Sequence, residues 1–435
     1  MKKLFSVFLS IFCLIASSCT ARLTDPDLTL AAEQLTVQPY RAGMTYHEVF
    51  DPYTDYDNRF YSVMNGFNMT ETEDAYYFIR SGNPFLYCCD KASGESGVLC
   101  GKPECIHDQN GDNSNCSGCI SAQIMSLSFY KGKLYYVGLS GDHVSARNLA
   151  LYRMDPDGTD REKLADLYCD SYSLIFLQTF VHRGWLYAVS TDQDITGGSP
   201  ETGASVVRWN METGEFRSLF KFNGFECSTV IPGTFFFGKY LYFVIDGFDD
   251  EEGPHHVNIY RFDTEKEELE SIYLSKPGEF YNGWYRIWAV SENELYISAF
   301  MLDEHENSLF CLREGKLEKA FTIDFSKETF DGANSFFLDG ALVMEHINPN
   351  EPEKSGIQIR DFAGNILYDG AWSFGFIGGQ TDRLCGLKGI YGNSTTIFCP
   401  FEATEPTGKE AFYFVKYELE NGELSETLLY SDAER

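Results

Sequence analysis

The chain is poor in proline, with 14 against 38 glycines in 435 residues, and poor in cations, with 34 lysines and arginines against 65 carboxylates. Sparse proline leaves strands uninterrupted, and frequent glycine marks tight turns. The shortage of cations gives a formal charge of −31 and an isoelectric point near 4.5. Such a field repels nucleic acid and anionic headgroups, so no nucleic-acid partner is expected. Beyond the first residues, no segment stays apolar for the ~20 positions that a membrane-spanning helix needs. Catalytic signatures are missing too. There is no His-Glu-x-x-His and no phosphate loop. Gly197-Gly198-Ser199-Pro200-Glu201 lacks the closing glycine of a nucleophile elbow. Carboxylate pairs for glycoside chemistry stay open, because 65 acidic residues make many constellations available and none diagnostic.

What the chain has instead is aromatic residues, 27 Tyr and 36 Phe, in short runs with β-branched neighbours. That composition favours strands. A two-part motif recurs at a spacing of roughly fifty residues. One part is a turn and an aromatic strand: Lys131-Gly132-Lys133-Leu134-Tyr135-Tyr136-Val137, then Arg183-Gly184-Trp185-Leu186-Tyr187, then Gly238-Lys239-Tyr240-Leu241-Tyr242, and more weakly Glu292 to Ser298. The other is a hairpin strand: Leu151-Tyr152-Arg153-Met154-Asp155, Val206 to Asn210, and Ile259 to Asp263. A repeat of this length made of strands and turns predicts an all-β fold, a β-propeller with one four-stranded blade per repeat. Units at 126–167, 179–222, 230–275, 286–323, 333–373 and 375–431, plus a first pair at 73–90, make about seven blades, with six or eight also compatible. In Leu134–Val137 both strand faces are apolar, as a sheet sandwiched between two others requires. The acidic stretch Asp246 to His256 reads as a solvent-facing loop. Residues 59–69 are the candidate strand for closing the last blade.

The first residues carry an address. Met1-Lys2-Lys3 is basic, Leu4 to Ala16 is apolar, and Ala16-Ser17-Ser18-Cys19 follows. Small residues before a cysteine resemble the lipobox of bacterial lipoproteins. The resemblance implies a signal peptide at 1–18, diacylglyceryl attachment at Cys19, and an extracytoplasmic protein anchored to a bacterial membrane. Two or more acyl chains anchor stably where one does not. On this reading 19–58 is a tether and 59–435 the propeller.

Between the first and second repeats lies a cysteine-rich loop at 100–119. It reads Cys100-Gly-Lys-Pro-Glu-Cys105-Ile-His107, then Cys116-Ser-Gly-Cys119. Three readings compete. Zinc takes thiolates and imidazole in a closed tetrahedron, which Cys100, Cys105, His107 and one of Cys116 or Cys119 would supply. An exported protein also favours disulfides, and Cys88 and Cys89 complete an even six. Free thiols are the third. All three are structural, since the loop has no core of its own. Further along, Cys385 and Cys399 flank a hairpin turn near Gly392 and are candidates for a cross-strand disulfide. Cys169, Cys227 and Cys311 show no evident partner.

The segment Leu151–Asp160 is very like the hairpins of TolB-like and low-density-lipoprotein-receptor-like propeller domains found in bacterial lipoproteins, a group largely of unknown function. A lipid-anchored propeller presents variable loops on a rigid frame, which suits a binding or scaffolding role toward a protein, a peptide or an envelope glycan. Trp284, Trp288 and Trp372 are candidates for stacking on sugars, with packing between blades the more common use of such aromatics. The alternatives are a glycan-active enzyme with carboxylates in the channel, and a metal- or redox-responsive module at the cysteine loop.

Overall fold

The structure is a computed structural model that describes residues 44–61, 66–108, 111–113, 115–120, 126–139, 149–167, 173–193, 202–222, 233–248, 255–276, 279, 283–301, 306–324, 330–346, 355–378, 384–405 and 407–433. The described residues all belong to one compact unit, Ala42–Arg435. That unit is all-β. Seven antiparallel four-stranded sheets follow one another as the blades of a propeller, and the only α-helix among the described residues is the single turn Tyr46–Val49.

The innermost strands are Phe67–Glu71, Leu127–Tyr130, Ser173–His182, Thr234–Phe237, Gly283–Ser291, Phe330–Leu338 and Leu384–Leu387, the last extended by the short segment Tyr391–Gly392. Each sheet runs from its inner strand outward in chain order. In six blades the pairing slips by one residue between the third and fourth strands, at Leu151/Tyr152, Val206/Val207, Ile259/Tyr260, Leu309/Phe310, Ile359/Arg360 and Phe414/Val415. A bulge there strengthens the local twist, so the outer strand turns away from its neighbour. The same hairpin motif that recurs in sequence therefore carries the bend that shapes every one of these blades.

The hydrophobic clusters lie between blades. Leu134 and Tyr136 of the second blade meet Tyr77 and Leu86 of the first, while Tyr135 and Val137 meet Val181 and Leu186 of the third. All four residues of Leu134–Val137 are at most 5 % exposed, which confirms a strand apolar on both faces. Blade 1 begins one strand earlier than the pair at 73–90, with Phe67–Glu71 beside Ala75–Arg80. That register corrects the expected closure. Residues 67–69 pair within blade 1, and blade 7 takes all its strands from 384–431. The ring closes by side chains instead. Phe67 and Phe78 pack against Phe412 and Phe414, Arg80 pairs with Asp432, and the Tyr391 hydroxyl donates to the Phe67 carbonyl at 3.0 Å. The expected loop at Asp246–His256 is also shorter than its polarity implied: Asp246, Gly247 and Phe248 pair with Val257, His256 and His255.

Residues 44–58, which the sequence reads as tether, are built into the ring. Thr45 bridges Ser291 of blade 5, and His47 lies 3.2 Å from Asp339 of blade 6. The Tyr53 carbonyl accepts from the Lys131 amide of blade 2, and the Thr54 carbonyl from the Arg183 amide of blade 3. Asn58 clasps Phe236 of blade 4 on both sides, accepting from its amide at 2.9 Å and donating to its carbonyl at 2.8 Å. Arg59 reaches Glu71 of blade 1, and Phe60 packs on Phe398 of blade 7. One segment thus touches all seven blades, at or near the turns that leave their inner strands, and lies as a stopper across that face of the ring. Its lack of period hid this, because its order comes from seven separate partners rather than from any pattern of its own.

Candidate functional site

The loop after blade 1 is held first by backbone. The Leu86 amide donates to the Gly118 carbonyl at 2.8 Å, the Ile120 amide to the Pro84 carbonyl at 2.9 Å, and Phe85 bridges Cys119. The loop packs tightly enough to demand glycine: a Cβ on Gly118 would sit 2.7 Å from Val98 Cγ1 and 2.8 Å from the Leu99 carbonyl. Asn113 Nδ2 donates to the Asp108 and Gly111 carbonyls, and Lys102 to the Asn115 carbonyl, so the loop's own polar groups tie its two halves.

This folding brings together Cys100, Cys105, His107 and Cys116, whose ligand atoms all lie within 4.8 Å of one another. Cys119 is outside the set; it shares the loop but is used through its backbone, its carbonyl accepting from Arg161. Cys88 and Cys89 alternate along their strand toward two different interblade cores, and both are free. The cysteines of this region are unbridged among the described residues.

Three thiols and an imidazole fit a metal. His107 is held with φ +55°, a conformation that non-glycine residues adopt rarely, and its Nε2 is buried without a hydrogen-bond partner. Burial works against ionising Cys100, but hydrogen bonds from His107, the Lys102 amide and Ser117 outweigh it and hold the thiol down at about 5. Cys116 is pushed up to about 11 by burial and by its hydrogen bond with Cys100. Thiols sharing one site resist a second negative charge, and a divalent cation removes that conflict.

Cys385 and Cys399 do not oppose one another. Cys385 falls between Leu384 and Gly386, which pair with Ala403 and Glu402, whereas Cys399 pairs with Val415 on its other side and is free. The hairpin turn is where expected, at Asn393–Thr396. Irregular backbone at 388–390 breaks the strand and moves Cys385 three to four positions along, roughly 10–14 Å at ~3.4 Å per residue. Cys19, Cys169 and Cys227 lie outside the described residues, as does the side chain of Trp284. Trp288 and Trp372 are 2 % and 5 % exposed and pack against Phe235 and Tyr417, so neither offers a face to a sugar.

Antiparallel blades put second-to-third-strand turns and blade-to-blade connections at the mouth opposite the stopper. There, at the seam of blades 1 and 7, lies a groove of about 560 Å³. Its walls include Arg80, Asn83, His107, Asp108, Glu402 and Phe412, so the cysteine loop forms one side. Asn83 is 5 % exposed; its Oδ1 accepts from the Phe85 amide, and its Nδ2 is buried with no partner. Arg80 Nε is likewise buried and without a partner. Sequence reasoning passed over both, since neither belongs to a motif. At the stoppered mouth a cleft of about 370 Å³ carries charges already matched with one another, Arg59 with Asp57 and Lys91 with Glu71.

No protein-family model matches the chain, and no curated protein matches it in sequence. Solved structures resemble it in fold. Acylaminoacyl peptidase of Pyrococcus horikoshii is 13 % identical over 70 % of this chain and 45 % of its own, with a TM-score of 0.40. Oligopeptidase B of Leishmania major is 10 % identical over 84 % of this chain and 49 % of its own, with a TM-score of 0.45. A puromycin hydrolase is 10 % identical over 85 % and 53 %, at 0.39. The chain spans about half the length of these proteins, and at such identity the likeness concerns fold alone.

Proposed function

We propose that this chain is a recognition propeller, anchored through a lipid at Cys19 on the outer side of a bacterial membrane, that reads an extended peptide or protein segment in the groove between blades 1 and 7. The observation that carries this reading is the pair of buried, unpartnered donors, Asn83 Nδ2 and Arg80 Nε, on a groove at the unstoppered mouth. A buried donor without an acceptor costs about 1–3 kcal/mol, which a ligand carbonyl or carboxylate returns on binding. The groove lies within the ~300–1,000 Å³ range of ligand sites. Burial of Trp288 and Trp372 favours peptide over glycan. Among the described residues, the buried polar side chains of the inner strands are Asn68, Thr70, Ser128, Thr179, His182, Thr234, Arg286 and Ser335, none of them a carboxylate, and Glu71 is committed to Arg59 and Lys91, which favours recognition over carboxylate chemistry.

The probe is a displayed library of extended peptides. Selected binders should lose affinity about tenfold or more on Asn83→Asp, which keeps the acceptor for the Phe85 amide and removes the donor. They should be unaffected by Tyr53→Ser on the stoppered side. Failure to select any binder, or binders indifferent to Asn83→Asp, would sink the reading.

Zinc belongs to the same reading as a clamp on the groove wall. Cys100, Cys105, His107 and Cys116 would hold it in a closed shell with no open position, so it would supply rigidity rather than chemistry. Ile106, 89 % exposed between two of these residues, would be presented to the partner. Metal analysis of the purified protein should find one zinc per chain, none after Cys116→Ser, and no change after Cys119→Ser. Equal loss in both variants, or a wild type without metal under reducing conditions, would refute the clamp.

A further inference from the structure

We propose that the interior of the ring holds a small monovalent anion, chloride or one of its size, between the guanidinium of Arg286 and the hydroxyl of Thr234. Both side chains lie on innermost strands, Arg286 on that of blade 5 and Thr234 on that of blade 4. Both line one cavity of about 30 Å³, together with Trp288, Phe235 and Phe336. Arg286 is 8 % exposed and Thr234 is 2 % exposed.

Arg286 satisfies one of its donors, giving its Nε hydrogen to the Ser335 carbonyl at 2.6 Å, and sits over the Phe336 ring at 5.6 Å. Its Nη1 is buried with no partner, and so is Thr234 Oγ1. None of the described residues lining the cavity is a carboxylate. Asn58, also on the cavity wall, has both its amide groups committed to Phe236 and Tyr46. The wall thus offers two hydrogen-bond donors and aromatic surface.

A buried charge costs several kcal/mol unless it is paired. Burial lowers the guanidinium's proton affinity to about 10, yet that still leaves it charged near neutrality. An acceptor with a negative charge resolves the conflict, and the volume sets its size. A cavity of this order accommodates about one or two water-sized particles, which admits chloride and excludes a polyatomic ligand such as a peptide carboxylate with its chain. The stopper at 44–61 covers one mouth and contributes Asn58 and Tyr61 to the wall, so the anion would seat against the folded ring rather than on its surface.

The test is thermal unfolding of the whole protein at constant ionic strength, with chloride exchanged for gluconate, which is too bulky for the cavity. The wild type should gain several degrees between about 5 and 500 mM chloride, the behaviour of a ligand bound only by the native state. Thr234→Val should weaken the dependence several-fold, and Arg286→Met should abolish it. Crystals grown in bromide should show one anomalous peak beside Arg286. If Arg286→Met does not fold, Thr234→Val and the bromide peak decide. A wild type indifferent to chloride, variants that keep its full chloride response, or a cavity holding water alone in bromide crystals would each overturn the assignment.

Discussion

Replacing Asn58 with alanine is expected to lower the free energy of unfolding by about 3 kcal/mol. The side chain acts as a stand-in for a neighbouring strand. Its oxygen takes the Phe236 amide and its nitrogen serves the Phe236 carbonyl, and Phe236 is 2 % exposed. Alanine would leave both backbone groups buried without partners, and would drop the Tyr46 hydroxyl at 3.2 Å as well. Denaturant unfolding gives the measurement, with Tyr53→Ser as a control, since Tyr53 is 42 % exposed and should change stability by less than about 0.5 kcal/mol. A loss of under about 0.5 kcal/mol for Asn58→Ala would mean that the stopper is not part of the cooperative unit.

Acid should loosen the same contact from the blade 3 side. His182 is 0 % exposed. Its Nδ1 accepts from the Tyr56 amide at 3.1 Å and its Nε2 faces the Gly238 carbonyl at 2.7 Å, a pattern that assigns the neutral Nε2–H tautomer. Burial, helped by the Arg183 charge, lowers its pKa from 6.5 to about 4, against the opposing pull of Asp55 and the Gly238 carbonyl. Between these two values the unfolded chain holds a proton that the folded ring refuses. Stability from this residue is therefore complete above pH 6.5 and falls as pH drops toward 4, by up to about 3 kcal/mol. Protonation also removes the acceptor for Tyr56. The carboxylates titrate in part of this window, so the readout is the difference between wild type and His182→Asn, whose amide does not titrate. Parallel loss of stability in both proteins would exclude His182 as the cause.

How much of this was legible beforehand depended on how local each feature is. Leu134–Val137 announced a strand buried on both faces because alternation and aromatic content are properties of adjacent residues. The segment Leu151–Asp160 announced its hairpin because turn geometry selects the residue types of its Asp155-Pro156-Asp157-Gly158. The convergence of Cys100, Cys105 and His107 was foreseeable from their closeness in the chain, while the choice of Cys116 over Cys119 was not. That choice follows from Gly118 packing against Leu99, which directs the Cys119 backbone to Phe85. The proposed Cys385–Cys399 bridge failed on a break at 388–390, since a shift of a few residues in register outweighs any symmetry about a turn. Arg286, His182 and Asn83 lie in no motif at all, and they draw their interest from what surrounds them.

The amino-acid order alone pointed to a propeller of about seven small sheets, an acidic surface and a cysteine-bearing connection. Each rests on short-range periodicity or on counting. Tertiary structure decided how the ring is closed, which mouth is stoppered and which polar groups are left facing inward without partners. Those outcomes depend on contacts between residues more than three hundred positions apart, such as Tyr391 with Phe67 or Arg80 with Asp432, and no local pattern encodes which distant backbone a side chain will meet.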